Sequence, residues 1–305
     1  MADKFIWGDL IHLGMQMWEK TYDDLQFDEA VWEKLVARMA ERRLNTLLLD
    51  LGEGVVYPSH PELAVRGSWT AERLRREIAR LKALGIEVLP KLNFSTAHDA
   101  WMKDYGRMVS TPEYYRVCAD LVRDVCEMFD RPRLFHIGYD EENYRCQRGH
   151  PVMTVRQGDL WWHDFLKLVG EVERNGSRAW IWSDFIWHHE EEFLRRMPKS
   201  VMQSNWYYWP CFDLSKRGDE RLGDPEQFKQ RAYLKLEKAG YDQIPTGSNW
   251  NNDTNFGDTV RFCRANIAPE RLHGFLTAPW TETKPSDLEK GLRAIDQVGV
   301  EIARS

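Results

Sequence analysis

Three consecutive acidic residues near the middle of the chain are its clearest candidates for chemistry. An apolar run at 134–137 is followed within three residues by Asp140, Glu141 and Glu142. Such a run predicts a buried strand, and its C-terminal end would open onto the carboxylates. Crowded carboxylates raise the pKa of one member of the group, so that one acid can donate a proton while its neighbour stays ionised.

Two of the three acids can be given separate tasks. Adjacent residues on a strand point to opposite sides, so Asp140 and Glu141 can face one pocket only if the backbone turns beyond the strand end. Glu141 has the longer side chain and is the better candidate for donating a proton to a leaving group. Glu142 has no assigned role and is expected in a solvated loop.

Neighbouring acids of this kind fit one form of glycoside hydrolysis. Two carboxylates normally flank the scissile bond, but in a known exception the acetamido group of the substrate is the nucleophile. One acid then donates the proton, and the other holds and polarises the acetamide.

The elements that must position these acids alternate along the whole chain. Mostly apolar strands are predicted at 5–13, 44–51, 86–94, 133–138, 179–186, 201–208, 242–248 and 273–278. Helices between them begin at Asp28, Thr70 and Thr111, or span 160–174, 190–196, 225–239, 258–266 and 286–303. A doubly wound open sheet is the alternative, but no glycine-rich phosphate loop follows the first strand. We therefore predict the α/β class, with residues 1–305 forming a single (β/α)8 TIM barrel.

The residues predicted at the C-terminal ends of the strands, where such barrels place their sites, share one chemistry. They are acids, amides, a histidine and tryptophans: Asp50, Glu53, Asn93, His98, Asp140, Glu141, Glu142, Trp182, Asp184, Asn205, Trp206, Asn249, Trp250, Asn251, Asn252, Asp253, Trp280 and Glu282. The chain has 14 tryptophans, and several follow predicted strands. Carboxylates and amides bind hydroxyl groups, and indole faces suit the C–H faces of sugars, so the pattern favours a carbohydrate site.

Composition argues against several other classes of function. The 305 residues are 43% hydrophobic and 30% charged, with a net charge of −6 and no basic block that would favour nucleic acid. The longest apolar runs fall well short of the ~18 residues needed to span a membrane. The N-terminus lacks the apolar segment of a secretory signal, which predicts a cytoplasmic location.

No metal site, cofactor or disulfide framework is predicted. The 5 cysteines are odd in number and scattered. Cys146 with His150 is too small a set for a metal site. His188, His189 and Glu190 look like a solvated helix start. The sequence carries no signal for a particular oligomeric state.

The residues around the acids resemble a known family. The segment His136-Ile137-Gly138-Tyr139-Asp140-Glu141 is similar to the His-x-Gly-Gly-Asp-Glu signature of glycoside hydrolase family 20, the β-N-acetylhexosaminidases. Further similar segments follow the family's order: 45–53, 61–63, 67–70, 85–90 leading to His98, 182–184 and 280–282.

The resemblance implies a retaining, exo-acting glycosidase with a glycoside or oligosaccharide as its substrate. Asp140 would orient the 2-acetamido group, and Glu141 would be the general acid/base. The remaining implied roles are supporting or lining ones: His98 beside the acids, Trp182, Trp206 and Trp280 around the sugar, and Glu282 at a sugar hydroxyl.

Other positions depart from the family pattern and keep two alternatives open. Trp7 replaces a sugar-gripping Arg, Tyr139 replaces the second Gly of the signature, and 249–251 lacks a Tyr that steadies the acetamido oxygen. One alternative is a glycosidase of different sugar specificity, in which Glu141 remains the acid. Its nucleophile or base would be one of three acids: Asp184, Glu282 or Glu53. The other alternative is a non-catalytic glycan-binding barrel. In both alternatives, Tyr139 and Trp250 would either block sugar-binding subsites or form part of them.

Overall fold

The computed structural model describes residues 5–16, 21–210, 212 and 227–305, with strands and helices in alternation. The strands are β1 (Ile6–His12), β2 (Thr46–Asp50), β3 (Glu87–Lys91), β4 (Leu134–His136), β5 (Arg178–Trp182), β6 (Met202–Ser204), β7 (Thr246–Gly247) and β8 (Gly274–Thr277). The α-helices are α1 (Glu29–Glu41), α2 (Ala71–Ala83), α3 (Pro112–Met128), α4 (Tyr144–Gln147), α5 (Gly158–Arg174), α6 (Phe185–His188), α7 (Glu190–Arg196), α8 (Gln227–Lys238), α9 (Asn255–Asn266) and α10 (Leu288–Ala303). Short 3₁₀ segments lie at Gly52–Gly54, Pro61–Leu63 and Ala100–Met108.

The eight strands form one parallel sheet in the order β6-β5-β4-β3-β2-β1-β8-β7. Parallel bridges join Gln203 to Gln243 and Trp206 to Thr246, and so connect the two end strands. The Thr246 N–H also donates to the Asn205 carbonyl at 3.0 Å. The predicted (β/α)8 barrel is therefore confirmed, and the open doubly wound sheet is excluded.

Local signals account for where several helices begin. The side chains of Asp28 and Thr70 accept hydrogen bonds from the backbone N–H groups three residues later, at 3.0 and 3.2 Å. Thr111 caps α3 in the same way, and Pro112 occupies its first turn. These contacts satisfy backbone donors that an isolated helix start would leave unpaired.

All eight predicted strands are longer than the observed ones, including those of β5, β6 and β7. The predicted strand 179–186 ends at Trp182, because Phe185–His188 forms a short helix; an apolar run alone does not distinguish the two. The strand predicted at 201–208 is reduced to Met202–Ser204, and the one at 242–248 to Thr246–Gly247. Of the predicted helix 225–239, residues 225 and 226 lie outside the described residues.

Apolar side chains form two separate layers. One fills the barrel interior: Ile6, Leu10, Leu48, Leu89, Leu134, Trp180, Trp182, Met202, Ile244, Leu276 and Ala278. A larger layer lies between the strands and the surrounding helices. The strands are thus buried on both faces, as expected of a parallel sheet. No helix in the described ranges combines the length and apolarity that crossing a bilayer would require.

A polar layer crosses the barrel interior just below the carboxyl ends of four strands. His12, Asp50, Lys91 and His136 are partners in register on β1 to β4. Asp50 Oδ2 lies 3.2 Å from His12 Nδ1 and 2.5 Å from Lys91 Nζ. Burial raises the pKa of Asp50, but the neighbouring Lys91 and His12 outweigh burial and lower it. The layer therefore carries compensated charge beneath the strand ends.

Asp9 on β1 is a buried acid outside this layer. It is 1% exposed, and its Oδ1 has no hydrogen-bond partner among the described residues. Burial holds the pKa of Asp9 well above its ordinary value, although a backbone hydrogen bond opposes the shift. The ionised carboxylate is thus disfavoured in the folded state.

We expect Asp9→Asn to stabilise the protein near neutral pH by about 1–3 kcal/mol, because each unit by which burial raises the pKa of a carboxyl group costs about 1.4 kcal/mol of stability above its unfolded pKa. Because the pKa of Asp9 is higher in the folded protein than in the unfolded chain, the wild-type protein is most stable below the unfolded pKa. Its free energy of unfolding then falls as pH rises towards the folded pKa. The advantage of the variant should therefore grow with pH from about 4 upwards. Denaturant unfolding of both proteins from pH 4 to 8 measures this, and a pH-independent difference would contradict it.

Candidate active site

The acidic segment leaves β4 through a sharp backbone turn. Gly138, Tyr139 and Glu141 have φ angles of 69°, 73° and 57°. These left-handed conformations break the strand alternation, and the side chains of Asp140 and Glu141 line one cavity. Gly138 is required here, because a Cβ atom would lie 2.8 Å from the Asn93 backbone Cα.

Asn93, which follows β3, holds the turned segment from the side. Its Oδ1 accepts the N–H groups of Tyr139 at 3.2 Å and Ser95 at 3.0 Å. Its Nδ2 donates to Asp140 Oδ1 at 2.8 Å, and the Ser95 hydroxyl donates to the Asp140 carbonyl. One amide thereby fixes both the backbone of the turn and the carboxylate that follows it.

His98 faces both acids of the pair. Its Nε2 lies 3.4 Å from Asp140 Oδ2 and 3.3 Å from Glu141 Oε2. Burial alone would lower the pKa of His98, but the two carboxylates raise it to about 10. Burial likewise raises the pKa of Asp140, and the opposing His98 charge and hydrogen bond bring it down to about 2. At neutral pH the site therefore contains an imidazolium beside an ionised Asp140.

The charge state of His98 gives a direct spectroscopic prediction. Its imidazole should remain protonated from pH 6 to 9 and titrate near pH 10 in nitrogen-15 NMR spectra. Because the folded pKa is raised, the stability that His98 contributes is full below about pH 6.5 and is lost as pH rises through 10. In His98→Gln the NMR signal of His98 is missing, which identifies it in the wild-type spectrum. The variant should also lose the fall in stability that is expected between about pH 6.5 and 10. A His98 titration near pH 6.5 would contradict the expected pairing.

The same three residues are close enough to be considered for a metal ion. Donor atoms of His98, Asp140 and Glu141 all lie within 4.8 Å of one another. A protonated imidazole must lose its proton before it coordinates a metal. Metal binding at these three residues would therefore release the His98 proton.

Asp184 lies behind Glu141. Its Oδ2 accepts the Glu141 backbone N–H at 2.9 Å, and its Oδ1 has no hydrogen-bond partner within the described part of the chain. Burial, reinforced by the nearby charges of Asp140 and Glu141, holds the pKa of Asp184 well above its ordinary value. The residue anchors the backbone of the acid pair from the end of β5.

Aromatic side chains from three strand ends complete the cavity, which has a volume of about 260 Å³. The residues that line it are His98, Asp140, Glu141, Trp206, Tyr208, Trp250 and Trp280. The rings of Trp206 and Tyr208 stack, with centroids 5.0 Å apart and planes at 24°. The volume lies just below the range of about 300–1,000 Å³ that is usual for ligand pockets, so one small ring fits better than an extended ligand.

Trp182 lies beneath the lining residues. It is 1% exposed, and its ring centroid is 4.3 Å from that of His136 and 5.9 Å from that of Trp280. The structure thus brings together six of the eleven predicted site residues at the cavity, and it places Trp182 and Asp184 directly against them.

The cavity wall, as far as the chain is described, does not include Tyr139, Glu53 or Glu282. Tyr139 turns towards α5, with its ring centroid 5.0 Å from that of Trp161. Glu53 accepts the backbone N–H groups of Met15 and Gln16, and Glu282 pairs with Lys284 at 2.6 Å. These three side chains thus lie outside the described cavity wall, and their contact with substrate stays a prediction.

Tyr208 is a cavity residue that the sequence interpretation did not single out. Its hydroxyl oxygen is buried and makes no regular hydrogen bond among the described residues. A hydrogen bond from the Trp280 side chain opposes the burial that raises the pKa of Tyr208. An indole N–H only donates, so the hydroxyl proton of Tyr208 is available to a ligand. The aromatic run 206–209 was the available signal, but it did not show which ring would face the cavity.

Glu142 differs most from its expected solvated position. Its side chain is 2% exposed and forms an ion pair with the equally buried Arg156 at 2.6 Å. A signal for this pairing is absent from the local sequence, because the two residues are 14 positions apart.

The barrel resembles the catalytic-domain fold of solved structures of glycoside hydrolase family 20 and related β-N-acetylhexosaminidases. The exo-β-N-acetylglucosaminidase from Vibrio harveyi in complex with N-acetylglucosamine is 15% identical with a TM-score of 0.64, over 96% of this chain and 54% of that one. The β-N-acetylhexosaminidase from Bacteroides fragilis is 15% identical with a TM-score of 0.63, over 96% and 65%. Dispersin B is 16% identical with a TM-score of 0.59, over 90% and 95%.

This chain thus spans about half the length of the Vibrio protein and most of Dispersin B. At such low identity the likeness establishes the fold alone. Comparison with protein-family models and with curated protein sequences finds no match.

Proposed function

We propose that the protein is a glycoside hydrolase that removes a terminal β-linked 2-acetamido sugar with retention of configuration. The observation that carries this proposal is the placement of Asp140 and Glu141 on one cavity, with His98 within 3.4 Å of both carboxylates. The family 20 barrel fold of the similar structures supports the same reaction class.

In this mechanism, Glu141 donates a proton to the glycosidic oxygen while the acetamido oxygen of the substrate attacks C1. The bond from C1 to the leaving oxygen breaks, and a cyclic oxazolinium ion forms. Asp140 accepts the acetamide N–H and stabilises the positive charge that develops there. Glu141 then removes a proton from water, which attacks C1 and reopens the ring with the original configuration.

The aromatic wall would bind the sugar. Trp206, Trp250 and Trp280 offer apolar faces to the C–H groups of the ring. The imidazolium of His98 would keep Asp140 ionised while both lie buried in the floor.

The proposal is tested with aryl β-glycosides that carry either a 2-acetamido or a 2-hydroxyl group. We expect hydrolysis of the 2-acetamido substrate, the β-anomer as first product by NMR, and inhibition by a thiazoline that mimics the oxazolinium ion. An α-anomer as first product would favour the alternative with a different base. Glycan binding without turnover would favour the non-catalytic barrel.

The buried hydroxyl of Tyr208 leads to a separate prediction. A neutral hydrogen bond to a ligand contributes about 0.5–1.5 kcal/mol, so Tyr208→Phe should raise KM by roughly 2–10-fold. Tyr144→Phe is a suitable control, because Tyr144 is 67% exposed outside the cavity. Unchanged KM and unchanged inhibitor affinity in Tyr208→Phe would exclude a hydroxyl contact with the ligand.

A further inference from the structure

Arg156 is a buried cation that links the acid segment to α5. It is 2% exposed and forms a two-pronged ion pair with Glu142, with Nη2–Oε1 at 2.6 Å and Nε–Oε2 at 2.9 Å. Its Nη1 donates to Asp164 Oδ2 on α5 at 3.1 Å. A guanidinium held by two carboxylates in fixed geometry is a rigid connection.

Arg156 also contacts the two loops that meet at the acids. Its Nη2 donates to the Phe94 carbonyl at 3.0 Å, just after β3. Its guanidinium lies over the Tyr139 ring, 4.5 Å from the ring centroid, in a cation–π contact. Tyr139 and Glu142 bracket the acid pair in sequence, so Arg156 contacts the segment on both sides of the acids.

Glu142 extends the connection to the loop that carries His98. Its Oε1 accepts the Thr96 backbone N–H at 2.9 Å and lies 2.8 Å from the Thr96 hydroxyl. Thr96 is two residues before His98, the residue that faces both acids. Glu142 therefore links the loop that carries His98 to the segment that carries Asp140 and Glu141, in addition to the direct contacts between His98 and the two acids.

Asp164 completes the network with partners of its own. Its Oδ2 accepts the Ser110 hydroxyl at 2.6 Å, and its Oδ1 accepts the Tyr115 hydroxyl at 2.5 Å. Because these hydroxyl groups also stabilise the Asp164 carboxylate, the single guanidinium of Arg156 is enough to pair with both Asp164 and Glu142. A buried charge network that is fully hydrogen-bonded holds its members in one arrangement.

The acid segment needs such support because its backbone is in an unfavourable conformation. Tyr139 and Glu141 both have positive φ, which costs free energy for residues other than glycine. Conformations of this kind persist only where the surroundings enforce them.

We propose that Arg156 and Glu142 are positioning residues that hold segment 139–142 so that Asp140 and Glu141 face His98 and the cavity. Neither residue touches the cavity, so both act through the acids they orient. The kinetic part of this proposal rests on the proposed glycosidase function; the structural part does not.

The test uses Glu142→Gln and Arg156→Lys in the full chain. Misplacement of reacting groups by about 1 Å can cost roughly 100-fold in rate, so we expect kcat to fall by about 10–100-fold. KM should change by less than about threefold, because the aromatic wall is untouched. The NMR titration of His98 should also move below its wild-type value, because the carboxylates no longer face it closely. Arg156→Met, which removes the charge, should be impaired more than Arg156→Lys.

The matched control is Glu87→Gln. Glu87 forms a two-pronged ion pair with Arg133, with N–O distances of 2.9 Å, at the opposite end of the barrel where β3 begins. This variant should lower thermal stability and leave kcat and the His98 titration unchanged. Thermal unfolding of each variant identifies the temperature at which all are folded. If Glu142→Gln unfolds, Thr96→Val replaces it, because it removes one partner of Glu142 and leaves the ion pair.

Folded Glu142→Gln and Arg156→Lys variants with wild-type kcat and His98 titration would overturn the proposal. Equal losses in Glu87→Gln would also overturn it, because the effect would then be general destabilisation. If the wild-type protein hydrolyses no aryl glycoside, the proposed function fails, whereas the His98 titration still decides whether Arg156 and Glu142 position the acids.

Discussion

Replacing Glu141 by glutamine is expected to lower kcat/KM on phenyl 2-acetamido-2-deoxy-β-glycosides by roughly 10²–10⁴-fold, the usual contribution of a general acid. The reason is geometric, because Glu141 is the more exposed carboxylate of the pair at the cavity, with 33% of its side chain accessible against 8% for Asp140. Asp184 accepts the backbone N–H of Glu141, and His98 contacts the Glu141 carboxylate. Both contacts keep this side chain directed at the cavity. Glutamine preserves the shape and cannot transfer the proton.

The leaving group shows whether the lost function is proton donation. Phenoxide needs protonation as it departs, whereas 2,4-dinitrophenoxide does not, so the loss should be much smaller with the dinitrophenyl glycoside. Glu191→Gln on the exposed surface of α7 serves as the control and should behave as wild type. Equal losses on both substrates would assign Glu141 a role other than general acid.

Replacing Asp140 by asparagine is the second large effect, with an expected loss in kcat of about 10²–10³-fold, as for removal of one electrostatic group from a reacting centre. Asp140 is ionised and buried, with Asn93 and His98 on its two carboxylate oxygens. Asparagine keeps the side-chain volume and removes the charge that would stabilise the oxazolinium ion. It also removes one of the two charges that hold the pKa of His98 near 10, so that pKa should fall in the variant.

The substrate decides how the loss is interpreted. If Asp140 acts on the acetamide, the variant should lose activity on the 2-acetamido glycoside and keep whatever slow activity the wild type has on the 2-hydroxyl analogue. Equal fractional losses on both would instead favour a protein nucleophile. Asp159→Asn, at a side chain that is 96% exposed, controls for the loss of one acidic group.

The architecture could be predicted from the sequence because its signals are local. Apolar runs of strand length and capped amphipathic helices alternate, and each depends only on residues a few positions apart. The barrel then follows from the presence of eight strand–helix units. Because all strands of such a barrel run in the same direction, their C-terminal ends meet at one face, which places Asp140, Glu141, His98, Trp206 and Trp280 together. These residues meet at one cavity.

Side-chain direction beyond the strand ends could not be predicted in the same way. Tyr139 follows a strand and precedes the acids, yet its positive φ turns its ring into the layer against α5. Glu53 and Glu282 lie at strand ends, but backbone N–H groups and Lys284 hold their carboxylates elsewhere. Loop conformation, which depends on distant partners, decides such cases.

The sequence by itself determined the barrel and the acid pair, since hydrophobic spacing and chain order suffice for both. Only the tertiary structure decided that Tyr208 belongs to the cavity and that Glu142 is buried against Arg156. The physical reason is that a charge is stable in the interior only with a partner in place. The partners of Glu142 come from the loops after β3 and β4, and those of Arg156 also include α5. Those segments become neighbours only when the chain has folded.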